Sequence, residues 1–195
     1  MKKIFKQIWK EAQSMQDLRE DKGHAKVVTE FAVKLCTILK ANEKIVVPAA
    51  ILHDIGYYGM DEQVLKNLMM GKLSENVAKK IKEEHMEKGA GLAEKLLRKI
   101  NYNPKLIERI IKVIKKHDLD VESTSTEENI VRDADKLWRF SKSGFNVDVK
   151  RRGCPPIEWY NYLFKNINKE NYFQTNEAKE IAAKELENRK NENKI

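Results

Sequence analysis

The sequence predicts an all-α fold, and three observations carry that expectation. Only 8 glycines and 4 prolines interrupt 195 residues. Apolar residues recur three and four positions apart along nearly the whole chain, as they do on one face of a helix. No stretch alternates apolar and polar side chains in the manner of a half-buried strand. The length suits one compact domain with a core of its own and a small appendage.

Each element follows from local pattern. Ile4, Phe5, Ile8 and Trp9 share one face of a first helix over about 2–18, with lysines opposite. Such a helix can lie on an anionic membrane surface, but packing on its own domain is the commoner use. Asp21 is a candidate N-cap for a second helix over about 22–41. Its stripe is Val27, Val28, Phe31, Leu35 and Leu39, and His24 points to the same side. A third helix, over about 44–54, has Pro48 in or near its first turn and ends in His53-Asp54. Residues 61–72 read as a short helix closed by Gly71.

Ser74 can cap the next helix, which carries His85 and continues to Leu96 and Leu97. Gly89, one turn beyond His85, leaves room there for another backbone or a ligand. Asn101 to Pro104 is a turn, and Pro104 opens a helix over about 104–117. Its face of Leu106, Ile110, Val113 and Ile114 ends in His117. Residues 118–127 are a polar loop. A helix over about 127–141 turns Asp135 inward between Val131 and Trp138. Residues 142–156 are expected to be a long connection, of a kind usually functional or mobile. Helices over about 157–167 and 175–193 complete the chain. The core is expected over about 20–140, with a helical extension over about 155–195.

Composition narrows the function classes. No run of about 18 apolar residues exists to span a membrane. The N-terminal stretch lacks the apolar core and cleavage site of a signal peptide. Cys36 and Cys154 are the only cysteines and lie far apart, so a disulfide framework is not indicated and a cytoplasmic location is expected. The formal net charge is +8, from 38 basic and 30 acidic residues. That balance attracts phosphorylated molecules or nucleic acid. The lysines are spread over most helices, however, so nucleic acid is disfavoured as a partner and solvated faces are the default.

The chemistry starts at Ala49-Ala50-Ile51-Leu52-His53-Asp54-Ile55-Gly56. Four apolar residues run into a carboxylate, which is seldom buried unless something pairs with it. An imidazole and a carboxylate side by side can hold a divalent metal. Gly56 reads as the helix stop, in the left-handed conformation glycine accepts. A histidine near a helix C-terminus needs no metal, since the dipole there already favours it. The rest of the chain decides against that simpler reading. It holds 4 histidines, His24, His53, His85 and His117. Each falls on the apolar face, or at the buried end, of a different expected helix, with Asp54 and Asp135 also turned inward. As packing residues, all six would need separate buried partners. One shared metal centre satisfies them together, and mixed imidazole and carboxylate donors suit iron, manganese, zinc or nickel better than calcium.

In this order and with these neighbours, the residues resemble the HD-domain superfamily of metal-dependent phosphohydrolases. The matching stretches are AAILHDIG at 49–56, His85 to Ala90, Ile114 to His117, and Asp133 to Leu137. The resemblance implies a helical bundle with the metal site between core helices, the whole of 1–195 forming a single HD domain. It implies His24, His53, Asp54 and Asp135 as the basic ligand set. His85 and His117 match the extra histidines of members that hold a second metal, with Asp54 bridging. The implied catalytic residues are therefore Asp54, His85 and His117, and the cofactor is one or two divalent ions, magnesium included. The lysine that usually follows His-Asp-Ile-Gly in the cyclic-dinucleotide branch is replaced by Tyr57, and no Gly-Tyr-Pro is present, which argues against that branch.

The implied activity is hydrolysis of a small phosphate ester or anhydride, with nucleotides the first expectation. A di-iron oxygenase of the same superfamily is the enzymatic alternative. A basic helical binding module with a structural metal is the other. A phosphorylated substrate calls for cations at the mouth. Candidates are Lys136 and Arg139, and on the connection Lys150, Arg151 and Arg152, with Tyr57, Tyr58, Asp61 and Glu62 able to orient substrate or protonate a leaving group.

Overall fold

A computed structural model describes residues 1–119 and 122–193. Of the polar loop expected at 118–127, Asp120 and Val121 lie outside the described residues. Ten α-helices and two short 3-10 turns make up the described fold, and no strand occurs among the described residues. In order the helices are α1 Lys3–Ala12, α2 His24–Ile38, α3 Glu43–Leu52, α4 Glu62–Met69, α5 Glu75–Lys99, α6 Pro104–Ile114, α7 Thr126–Trp138, α8 Lys142–Arg152, α9 Pro156–Ile167 and α10 Asn176–Asn193. The all-α expectation holds.

The fold is built around α3. Every residue from Ile45 to Leu52 is buried, so this helix is apolar all round, as a fully enclosed helix must be. One side packs with α1, α5 and α6, through Phe5, Ile8, Leu97, Ile110 and Ile114. The other packs with α2 and α7, in a cluster of Val28, Leu35 and Leu137 that extends to Phe145 and Trp159 of the C-terminal helices. Burying each such side chain contributes about 1.5–3 kcal/mol. His53 and Asp54 leave the end of α3 between these two clusters. The basic face of α1 stays outward while Phe5 and Ile8 are buried, so α1 packs on its own protein.

Pro48 lies inside α3 rather than at its start. Proline has no N–H to give the carbonyl four residues back. That carbonyl, on Lys44, instead accepts the Tyr102 hydroxyl at 2.7 Å. At α6, Pro104 opens the helix as expected, and Asn103 caps it, its side chain accepting from the Lys105 and Leu106 amides. Gly71 closes α4 in the left-handed conformation, φ +65°.

Four expectations need correction. Asp21 does not cap α2. The helix begins at His24 after Gly23, and the Asp17 carboxylate accepts from the Gly23 and Ala25 amides at 2.7 and 3.0 Å. Ser74 stands at the N-cap of α5 but makes no capping hydrogen bond. Gly56 is not a left-handed stop: it lies in a 3-10 turn, Ile55–Tyr57, and space is what demands a glycine. A Cβ there would lie 1.8 Å from the His85 carbonyl oxygen. Finally, most of 142–156 is a helix, α8, capped by the Ser141 hydroxyl, which accepts from the Gly144 amide at 3.1 Å. It carries no continuous apolar stripe, burying only Gly144, Phe145 and Asp148, so periodicity gave no sign of it.

The C-terminal helices are tied to α7. The buried Asp133 carboxylate accepts from the Gln174 amide at 2.8 Å and from the Thr175 amide and hydroxyl at 2.9 and 2.7 Å. Lys136 donates to the Tyr172 carbonyl on the same segment.

Candidate metal centre

Six side chains from five places in the chain converge at the end of α3. His24 is the first residue of α2. His53 and Asp54 follow α3, and His85 sits in the middle of α5. His117 follows α6 by one turn, and Asp135 lies in α7. All four imidazoles are buried.

Asp54 is the centre. Its Oδ2 lies 3.1 Å from His24 Nε2 and 3.2 Å from His53 Nε2. Its Oδ1 lies 3.5 Å from both His85 Nε2 and His117 Nε2. Asp135 Oδ1 joins the first pair, 3.2 Å from His24 Nε2 and 3.6 Å from His53 Nε2. Two donor groups result: His24, His53, Asp54 and Asp135, and then Asp54, His85 and His117.

These spacings fit a divalent ion. Ligands at about 2.0–2.1 Å from a metal stand about 2.8–3.0 Å apart along the edges of an octahedron and about 3.3–3.4 Å apart along those of a tetrahedron. The paired nitrogens fall within that span, at 3.1 Å for His24 and His53 and 3.4 Å for His85 and His117. Two rings are also fixed in the ligating tautomer. The Nδ1–H of His53 donates to the Ala50 carbonyl and that of His117 to the Ile114 carbonyl, both at 2.8 Å. In the neutral ring this leaves Nε2 as a bare lone pair turned into the site. Lone pairs and carboxylate oxygens facing one another repel unless a cation lies among them, so the donor set fits a metal.

Electrostatics agree. Burial opposes ionisation of Asp54, yet Arg19 and then His53 hold its carboxyl well below the usual range. Burial likewise opposes ionisation of Asp135, which hydrogen bonds from His24 and His53 overcome. Burial lowers the pKa of His53, but Asp54 and Asp135 outweigh it and push the imidazole up to about 10. The field that draws a proton there would draw a metal ion. Burial lowers the pKa of His85, leaving it neutral and ready to ligate.

A cavity of about 250 Å³ opens over the donors. Six cationic side chains border it: Arg19, Lys82, Arg132, Lys136, Arg139 and Arg151. Of the expected substrate residues, Lys136, Arg139, Arg151 and Tyr57 line this cavity. Arg152 does not; it is exposed and lies over the Trp159 ring, 4.6 Å from its centroid. Lys150, exposed, borders the neighbouring groove. Tyr57 is buried, stacked on His85 with centroids 4.1 Å apart and planes 6° apart. Tyr58 and Asp61 are exposed, and the Asp61 carboxylate caps α4 by accepting from Val64. Asp118 pairs with Lys82 at 2.9 Å at the cavity edge.

Sequence reasoning missed Arg19, Lys82 and Arg132. Arg19 donates to the Asp54 carboxylate and pairs with Asp21 at 3.0 Å. Its guanidinium also covers Tyr57, 4.8 Å from the ring centroid. Asp17 and Glu20, on either side of it, both have φ +56°, a conformation that disfavours non-glycine residues and gathers at functional sites. Nothing in the charged run Asp17 to Asp21 separates such an arginine from a solvated one. Lys82 carried a signal, since it lies three residues before His85 on one helix face. Arg132 donates to the Lys116 carbonyl at 2.8 Å and pairs with buried Glu128, which steadies the turn that carries His117.

Comparison with known proteins places the chain. No curated protein matches it. A crystal structure described as a predicted HD superfamily hydrolase, from an uncultured Thermotogales bacterium, is similar in fold. The TM-score is 0.57 at 20% identity, over 94% of this chain and 83% of the other. The HD domain family matches residues 22–139, the span that contains all six donors. By that match, and by the metal-ligand geometry it encloses, the chain belongs to the HD-domain family.

Proposed function

We propose that this protein is a metal-dependent phosphohydrolase acting on a small phosphate ester or anhydride, with a nucleotide as the first candidate. One observation carries the reading: a carboxylate shared between two imidazole pairs lies beneath a cavity bordered by cations. The same reading treats 1–195 as one HD domain, with its core at about 20–140 and a helical extension from about 155.

His24, His53, Asp54 and Asp135 would hold one ion, and Asp54, His85 and His117 a second. Iron, manganese, zinc and nickel suit these donors, with magnesium a poorer match to so many imidazoles. Divalent ions held there would lower the pKa of water and act as Lewis acids towards a phosphoryl oxygen. Asp54 keeps both donor groups in register. Arg19, beside Asp54, would donate to a phosphoryl oxygen and stabilise charge that develops during displacement. Lys136, Arg139 and Arg151 would take the remaining phosphate charge. Tyr57, packed between Arg19 and His85, would hold both in orientation and exclude water from one side.

The same donors could serve a di-iron oxygenase, but the cationic border favours a polyanionic substrate over a neutral organic one. The test is reconstitution of purified protein with each metal in turn. Nucleoside mono-, di- and triphosphates are then screened for phosphate release while dissolved oxygen is followed. The reading expects phosphate release that stops with chelator, returns with added metal and consumes no oxygen. Oxygen uptake without phosphate release would favour the oxygenase, and a folded, metal-loaded protein with neither activity the binding module.

A further inference from the structure

We infer that the organic half of the substrate, a nucleoside, lies in a second groove, between α4 and α8. The inference rests on the phosphohydrolase reading only for where the phosphate sits. The groove measures about 860 Å³. Small-molecule sites span about 300–1,000 Å³. The 250 Å³ over the metal donors falls below that range, enough for a phosphate and its nearest atoms. The larger part of any nucleotide must therefore lie elsewhere, and this groove adjoins. Arg19, Met69 and Arg151 border both spaces.

The shared border is already ordered. Arg151 donates to the Arg19 carbonyl at 3.1 Å and pairs with buried Asp148 at 3.4 Å. A molecule crossing from the metal cavity to the groove meets two fixed guanidinium groups at the crossing point, where a 5′-phosphate and its ester oxygen would lie.

The walls select the class of group. Leu65, Met69 and Met70 face it from α4 and its end, and Val147 from α8. Methionine thioethers pack well against aromatic rings and adapt to their shape. Lys66 and Lys150 also border the groove, and at its rim stand Glu20 and Glu62, both exposed and without an ion pair among the described residues. The two carboxylates can accept hydrogen bonds from ribose hydroxyls or exocyclic amines. A plain alkyl chain would strip water from these carboxylates and return no hydrogen bond, which costs free energy. A planar ring bearing donors, joined to a hydroxylated sugar, suits both wall and rim.

The test uses the full-length, manganese-loaded protein and ligands whose carbon–phosphorus bonds resist hydrolysis. Calorimetry compares methylphosphonate with the 5′-methylenephosphonates of adenosine, guanosine, cytidine and uridine, and with octylphosphonate. At least one nucleoside phosphonate should bind about tenfold or more tightly than methylphosphonate. Val147→Trp, which fills the groove, should remove about tenfold of that advantage while methylphosphonate binding stays within about twofold. Met70→Ala should reduce the advantage about threefold, and carries the test if the tryptophan variant does not fold. The inference is overturned if no nucleoside gains over methylphosphonate, if the gain survives both variants, if methylphosphonate binding falls equally, or if octylphosphonate binds tightest. Failure of the phosphohydrolase reading looks different: the nucleoside advantage remains but no nucleotide releases phosphate.

Discussion

Gly56 and Gly89 meet backbone to backbone where the turn after α3 crosses α5. A Cβ on Gly56 would lie 2.7 Å from the Gly89 nitrogen, and one on Gly89 would lie 3.2 Å from the Gly56 nitrogen. Asp54 is two residues before one glycine and His85 one turn before the other, so this crossing sets the distance between carboxylate and imidazole. Gly56→Ala should therefore cost about 1–3 kcal/mol of stability through overpacking. Under the proposed reading it should also weaken ion binding by Asp54, His85 and His117 more than by His24, His53 and Asp135. Gly89→Ala, with the wider gap, should cost less on both counts. Chemical denaturation and metal analysis of the two variants check this ordering.

Tyr102 repairs the backbone where Pro48 breaks it. Tyr102→Phe removes the partner of the Lys44 carbonyl at a part-buried position, at a cost of about 0.5–1.5 kcal/mol. The site is remote, so metal content and activity should not change. Denaturant midpoints with unchanged slope, beside an unchanged rate, would bear this out.

Arg19 is the cation nearest the shared carboxylate. Under the proposed reading, Arg19→Ala should lower kcat/KM for phosphate esters by about 10²–10³-fold while both metal groups still fill. Arg19→Lys should recover only part of the loss, because a point charge replaces a planar fork. Steady-state kinetics on metal-loaded protein measure this, and full activity in Arg19→Ala would remove the arginine from the reaction.

How much of this was legible beforehand depended on the kind of signal. Helices with an apolar stripe, such as α2 and α6, and histidines set on those stripes could be read directly, and with them the family. α8 could not, because it buries only three residues and its third, Gly144, is pressed under the Trp138 carbonyl, 1.9 Å from where a Cβ would lie. Arg19 could not either, since its role comes from a left-handed loop that no periodicity encodes. At Gly56 the sequence suggests a conformational need, whereas what matters is the lack of a side chain, a difference that only the crossing with α5 discloses.

Protons and metal should compete for the same donors. Without metal, His53, pushed up to about 10, and His24, raised by Asp135 and Asp54 against burial, hold protons more tightly folded than unfolded. Their contribution to stability is complete below about pH 6.5 and fades as the pH rises towards 10. Asp54 and Asp135 are held well below the usual carboxylate range, so their contribution is present above that range and lost as the pH falls through it. Because burial lowers the pKa of His85, its contribution is lost as the pH falls below about 6.5, so chelator-treated protein should melt highest near pH 6.5 and lower towards pH 10. Metal affinity should rise over the same alkaline span, with protons released on binding. Thermal scans and calorimetry in buffers of different ionisation enthalpy test both; a chelated protein whose Tm climbs steadily from pH 7 to 9 would contradict the assignment.

The most direct test is anomalous X-ray diffraction from crystals grown with saturating manganese. The account predicts two peaks per chain, each about 2.0–2.3 Å from its donors. One should touch His24, His53, Asp54 and Asp135, and the other Asp54, His85 and His117. Saturated crystals with no anomalous density beside Asp54 would contradict it.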